Sequence, residues 1–270
     1  MRRWFFLLVL LSLLVPSAPA LESTPPPVPP LLLDALTKLS QDFDHWAYTE
    51  TRHRADPDGK PRGETVIRFD PSKPYAEQYL PLKIDGQTPT ERQLKDYQKR
   101  GERRGERLTR EEAAGNEPGS GETARFRLNG DNAAIDPAHA VVANETDSSI
   151  TFNVPLRNDA KSTLPVEKFE LLARVNKERR AFENVTLRLR DSFRVKLVIK
   201  IQGGAANVDF GVVDPKFVPV MTSISGAGTA SVLFLKFGGS IDLKRTDFLR
   251  VKPYSERFGV KIGPMKALDF

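Results

Sequence analysis

VTLRLRDSFRVKLVIKIQ, residues 185–202, alternates apolar and polar side chains almost without a break. Val185, Leu187, Leu189, Phe193, Val195, Leu197, Ile199 and Ile201 share one parity; Thr186, Arg188, Arg190, Ser192, Arg194, Lys196, Lys200 and Gln202 share the other, with Val198 the exception. Successive side chains of a strand point to opposite faces, so the segment reads as β structure with one oily face and one carrying five cations. The cations either solvate the outside of a sheet or dock to an acidic partner or lipid headgroups. The use of the oily face decides the function.

The same period of two extends in both directions. Upstream, HWAYTETRH puts Trp46 and Tyr48 on one face, ETVIRFD groups Thr65, Ile67 and Phe69, and AEQYLPLKIDG groups Leu80, Leu82 and Ile84, with Pro81 marking an edge or a bulge. DPDGK, residues 56–60, is a turn. ARFRLNG, HAVVAN and SSITFNVPL are further strand candidates, and VEKFELLARV is read as a strand turning through NKERRA. Downstream, ANVDFGVVD, FVPVMTSIS, TASVLFLKF and SIDLKRTDFLRV follow, with turns expected at Gly203–Gly204, Asp214–Pro215, Gly226–Gly228 and Gly238–Gly239.

Two stretches have helical character. LLLDALTKLSQDF, residues 31–43, carries Leu32, Leu36, Leu39 and Phe43 at helical spacing and reads as one amphipathic helix. Residues 88–122 interrupt the strands with a charged helical segment that Thr90 would cap. Its one apolar stripe is Leu94, Tyr97 and Leu108, with Gly101 and Gly105 on the same side. The plain reading is a solvated, partly frayed helix on an insertion. The sharper one is a mobile lid whose glycines allow close approach to the sheet.

The chain opens with Arg2-Arg3, a twelve-residue apolar run from Trp4 to Val15, and Ala18-Pro19-Ala20. The run is short for a membrane span, and the pattern is that of a secretory signal peptide cleaved after Ala20. Residues 21–30 form a Pro-rich spacer, and 31–270 are expected to be a single half-barrel domain bearing the 88–122 insertion. Export to the periplasm is the expected localisation. The chain has no cysteine, which leaves it without disulfides and without a lipidated cysteine anchor. The net charge of +6 falls to about +4 once Arg2 and Arg3 leave, too mild to argue for nucleic acid.

Catalytic patterns are missing. His45, His53 and His139 form no metal-spaced pair, there is no G-x-S-x-G or phosphate-binding loop, and the aspartates at 56, 70, 136 and 214 each precede a proline, where Asp commonly starts turns. No enzyme activity, cofactor or metal is expected.

Magnitudes then constrain the oily face. A helix over 31–43 is about 20 Å long and about 10 Å wide, whereas a sheet of about nine strands is roughly 40 Å across. Each large apolar side chain left in water forfeits about 1.5–3 kcal/mol, and a dozen would exceed the usual stability margin of about 5–15 kcal/mol. The sheet must close on itself, fold into two layers, or curl into an open half-barrel around the helix that leaves a cleft for a guest.

A signal peptide, an N-terminal amphipathic helix (LLLDALTKLSQDFDHWAYTETRH), a strand meander, a helical interruption and late two-faced strands (FENVTLRLRDSFRVKLVIKI through FLRV) resemble the LolA/LolB lipoprotein-carrier superfamily over residues 31–255. The resemblance implies an incomplete β-barrel with helices as a lid and an apolar cavity for acyl chains. The expected fold class is therefore mainly β with helices (α+β), an antiparallel meander curled into an incomplete β-barrel around the N-terminal helix. The expected function is a non-catalytic carrier of a lipid, a lipoprotein acyl chain or another apolar ligand. Cavity residues are expected to be Ile67, Phe69, Leu187, Leu189, Phe193, Val195, Leu197, Ile199, Phe210 and Val212. Expected partners are a lipid or acylated protein, an envelope protein and, transiently, a membrane surface, with no nucleic acid. The alternative is a closed β-domain acting on envelope proteins through its charged surface.

Overall fold

The computed structural model describes residues 27–39, 43–113, 134–157, 165–195, 199–232 and 235–257. The signal peptide, most of the spacer, ARFRLNG and Leu197 lie outside the described residues.

The described chain is mainly antiparallel β-sheet with two α-helices. Strands β1 (Trp46–Ala55), β2 (Pro61–Phe69) and β3 (Tyr79–Ile84) come first. Helix α2 (Glu91–Ala113) follows, then β4 (Val141–Glu145), β5 (Ser149–Asn153), β6 (Phe169–Asn176) and β7 (Ala181–Leu189). The last strands are β8 (Phe193–Val195), β9 (Ile199–Gly211), β10 (Val220–Val232) and β11 (Leu235–Arg250). They form one sheet in the order β3-β2-β1-β11-β10-β9-β7-β6-β5-β4, with β8 beside β9. Strands β3 and β4 end that order without pairing to each other, so the sheet is not closed. The first strand pairs with the last, Glu50 opposite Arg245 and Arg52 opposite Leu243.

Local chemistry sets the boundaries. Asp56 Oδ1 accepts the amides of Asp58 and Lys60, and Gly59 takes φ +81°, which closes the β1–β2 turn as the DPDGK composition predicts. Thr90 caps α2 reciprocally: its hydroxyl accepts from the Gln93 amide at 3.3 Å while Gln93 Oε1 accepts from the Thr90 amide at 2.8 Å.

Three expected glycine turns are not turns. Strand β9 continues through Gly203–Gly204, with a register shift against β10 between Gly203 and Ile201, β10 through Gly226–Gly228 and β11 through Gly238–Gly239. The glycines instead stack across the sheet, with Gly204 opposite Gly228 and Gly228 opposite Gly239. At Gly239 (φ +136°) a Cβ would stand 2.2 Å from the Ala55 carbonyl oxygen, where β1 ends. Glycine inside a strand marks a bend or a close backbone approach as readily as a turn.

A second correction concerns FRVKLVIKIQ, residues 193–202, expected as one strand after FENVTLRLR: β8 pairs back onto β9, with Phe193 opposite Ile201. A third concerns β3, where Leu80 and Leu82 are 50% and 43% exposed and the opposite parity faces inward. Tyr79 and Pro81 sit opposite Phe69 and Ile67, and the Tyr79 and Phe69 rings lie 5.0 Å apart.

Cross-strand partners share a face, so the register defines one apolar face running through Ile67, Tyr48, Leu243, Ile224, Val208, Val185, Ala173 and Phe152. Helix α1 (Pro30–Leu39) covers part of it, burying Leu32, Ala35 and Leu36 among Phe152, Leu171, Val175, Phe182 and Val185. The other covered part lies under α2. Gly101 and Gly105 bring α2 onto Tyr75 in the turn before β3, and Arg104 reaches past it to Gln78 Oε1 (2.8 Å) and Asp44 Oδ1 (2.7 Å). The glycines of the helix thus serve a close approach, to the Tyr75 turn rather than to a strand.

Candidate functional site

Between these two covered regions no described helix lies over the apolar face. Its centre spans β9, β10 and β11. Val208 and Ile224 are opposite each other, as are Ala206 and Gly226, and Gly226 faces Ile241. These five are half-buried, while Leu243 beside them is buried. A Cβ built on Gly226 would touch Ile241 Cγ2 at 3.6 Å and Ala206 Cβ at 3.8 Å, which places all three on one surface. Small residues make a low floor. Leu187 and Phe210 border it on the α1 side.

The opposite border is charged. Glu50, 5% exposed, accepts from Arg52 Nη2 at 2.7 Å and from Arg245 Nε and Nη2 at 3.3 Å each. The Arg245 guanidinium lies 4.3 Å from the Tyr48 ring centroid. Burial raises the Tyr48 hydroxyl well above its ordinary titration range, ahead of the opposing pull of Arg245, so it stays neutral. Two guanidinium groups thus meet on one buried carboxylate. Arg52 Nε is buried and finds no acceptor among the described residues.

The expected cavity residues fall into separate groups. Ile67 and Phe69 are buried in the aromatic cluster, with the Arg104 guanidinium 5.5 Å over the Phe69 ring. Leu187 and Phe210 flank the α1 core, Phe210 lying 6.0 Å from the Phe182 ring. Leu189 is opposite Phe169, whose ring meets Phe193 edge-on at 5.8 Å. Val195 and Ile199 are opposite each other where β8 and β9 pair. Val212, 42% exposed, lies just past the end of β9. The space between α1 and the sheet, bounded by Leu32, Leu36 and Phe182 among others, is too tight for a water molecule. That space therefore has no room for a guest.

The sequence reading missed Ala206, Val208, Ile224, Gly226 and Ile241. Alanine and glycine do not stand out as a binding surface, and reading Gly226 as a turn removed it from the strand. The Arg52–Glu50–Arg245 group was also missed, although Glu50 and Arg52 share the parity of Trp46 and Tyr48.

The cations of the outer face are partly spent. Glu170 on β6 pairs with Arg188 and, at 2.9 Å, with Arg190, and the Arg188 hydrogen bond leads in holding its carboxyl below the ordinary range. Arg194 and Lys200 are exposed and have no ion pair among the described residues. On the same outer face, Asp209 accepts from Ser223 Oγ (2.6 Å), Asn184 (2.7 Å) and Asn207 (3.2 Å). Burial pushes its carboxyl up, but these donors together hold it below its ordinary value. Among the described residues no cluster of His, Asp and Glu is placed to hold a metal ion. An open depression of about 780 Å³ lies at the β1–β2 end, lined by His53, Glu64, Asp85 and Asp242 among others. The described ends of that sheet therefore offer a polar hollow, and its middle offers an apolar strip.

No family model matches the chain, and neither a curated protein nor a solved structure matches it.

Proposed function

We propose that the protein is a non-catalytic periplasmic carrier for a lipid, a lipoprotein acyl chain or another apolar ligand, built as an incomplete β-barrel curled around its N-terminal helix. The observation that carries this reading is the half-buried strip of Ala206, Val208, Ile224, Gly226 and Ile241, which lies between the parts of the apolar face under α1 and α2 with no described helix over it. Monomeric proteins rarely leave a contiguous apolar patch of more than a few hundred Å² without a use for it. Covering its larger side chains would return about 1.5–3 kcal/mol for each one fully buried.

The border supplies the rest of the recognition. An acyl chain along the strip would bring its head beside Arg52, which stands opposite Leu243 in the register. The Arg52 guanidinium, whose Nε finds no acceptor among the described residues, favours an anionic head group, a phosphate or a carboxylate. LolA-like carriage of an acyl chain accords with this arrangement, with the open strip in place of a sealed pocket beneath α1.

Native mass spectrometry of protein purified gently after export, followed by solvent extraction, tests the reading. Extra mass that extracts as phospholipid or another acylated species is the expected result. A bare polypeptide mass that stays unchanged after incubation with lipid would refute it.

A further inference from the structure

Strands β9, β10 and β11 continue past the glycine row, beyond the point where β1 ends at Ala55. On the other flank β7 pairs with β9 only as far as Ala205, and β8 takes its place. The result is a four-stranded blade made of β8, the start of β9, the end of β10 and the start of β11.

The register makes this blade two-sided. Phe193, Ile201, Ala230 and Phe237 form one row across all four strands. Phe237 is 41% exposed. The alternate row on the other face carries Arg194, Lys200 and Ser231. The apolar row lies on the same face of the sheet as the strip, since Ala230 and Gly226 share the parity of β10.

We propose that this blade docks onto an anionic phospholipid bilayer. An element that is apolar on one side and cationic on the other lies in the plane of the interface, its apolar side among the acyl chains and its cations at headgroup level. Three features favour lipid over a protein partner. The row of Phe193, Ile201, Ala230 and Phe237 holds only aliphatic and phenylalanine side chains, with no polar group to fix a partner's orientation. The opposing row carries cations and no acid. The side chains of Arg194 and Lys200 are exposed and unspent on any described carboxylate. Docking deepens the carrier reading by naming where the protein meets the bilayer, and it does not require the strip to hold a guest.

Vesicle flotation tests it, using protein purified after export and vesicles of phosphatidylethanolamine with phosphatidylglycerol or of phosphatidylcholine alone. The protein should float with the anionic vesicles, and the bound fraction should fall as salt is raised. Phe237→Asp should weaken binding about tenfold or more, from the lost apolar contact. Arg194→Glu combined with Lys200→Glu, on the opposite side of the blade, should weaken binding to anionic vesicles about tenfold or more and leave binding to phosphatidylcholine unchanged. Circular dichroism and the thermal midpoint check that each variant folds, and the charge variant carries the test if Phe237→Asp does not. Absence of flotation with anionic vesicles at low salt overturns the proposal, as does flotation insensitive to both variants. A concentration-dependent dimer abolished by Phe237→Asp, without flotation, would assign the apolar side to a second copy of the chain and overturn it too. If native mass spectrometry finds no guest while flotation holds, the carrier reading fails and the docking stands.

Discussion

Gly101 of α2 lies so close to Tyr75 that a Cβ on it would stand 1.9 Å from the Tyr75 carbonyl oxygen. The contact is with backbone, which cannot swing aside as a side chain can. In an isolated helix Gly101→Ala would gain about 1 kcal/mol of helix propensity. Here the overlap forces α2 off the turn, and the variant should be less stable by about 1–3 kcal/mol, as in other overpacked sites. Urea unfolding checks the sign: a stabilised Gly101→Ala would mean that α2 does not pack on Tyr75.

Glu50 holds Arg52 and Arg245 on the apolar face. Its side chain and that of Arg245 are almost wholly buried, at 6% and 10% exposure. Glu50→Ala leaves two cations facing each other and should cost about 3 kcal/mol, the usual penalty for breaking a buried pair from one side. Glu50→Gln should recover part of that loss, because the amide oxygen still accepts a hydrogen bond. Equal destabilisation by the two substitutions would argue against an electrostatic role.

Asp209 gives a pH signature of known sign. Its hydrogen-bond donors hold the folded-state carboxyl below the ordinary value of 3.8. A depressed folded-state pKa contributes stability that is fully present above the unfolded value and lost as pH falls through the folded one. Asp209→Asn should therefore remove part of the acid sensitivity of unfolding below the ordinary aspartate range. Ser223→Ala should act in the same direction, since the Ser223 hydroxyl makes the shortest of the hydrogen bonds, 2.6 Å. Denaturation midpoints across that acid range would show the parent and Asp209→Asn curves converging at low pH.

The bend at the glycine row is equally specific. Gly239→Ala meets both a positive φ that L-residues rarely adopt and a carbonyl oxygen at 2.2 Å. Gly204→Ala at the same level meets nothing nearer than 3.5 Å. The first should destabilise the protein by at least about 1 kcal/mol, and the second should be nearly neutral. A comparison of their thermal midpoints tests whether the row is a bend in continuous strands.

Much of this sheet was legible in the residues. The alternation of Thr65, Ile67 and Phe69 puts them on one face, on which Ile67 and Phe69 are buried, and Thr90 marks the start of α2. What failed did so where one residue type serves two geometries. Gly203, Gly226 and Gly238 were read as turns because a glycine that reverses the chain and one that lets strands bend look alike until the partner strand is known. The alternation groups Leu80, Leu82 and Ile84 on one face of β3 but does not say which face is buried; Tyr79 and Pro81 take that side, opposite Phe69 and Ile67 across the ladder. The strip was hidden for a related reason. Its surface is made of Ala206, Gly226 and their neighbours across three strands, and only the register brings them together.

The central claim is that the half-buried strip holds the guest, and photo-crosslinking tests it most directly. The protein would be loaded with a phospholipid bearing a diazirine on its acyl chain, irradiated and digested. Adducts should map to peptides containing Ala206, Val208, Ile224 and Ile241, and Ile224→Glu should abolish them while the β-sheet circular dichroism persists. Adducts confined to α2 or the outer face, or labelling undiminished in Ile224→Glu, would contradict the account.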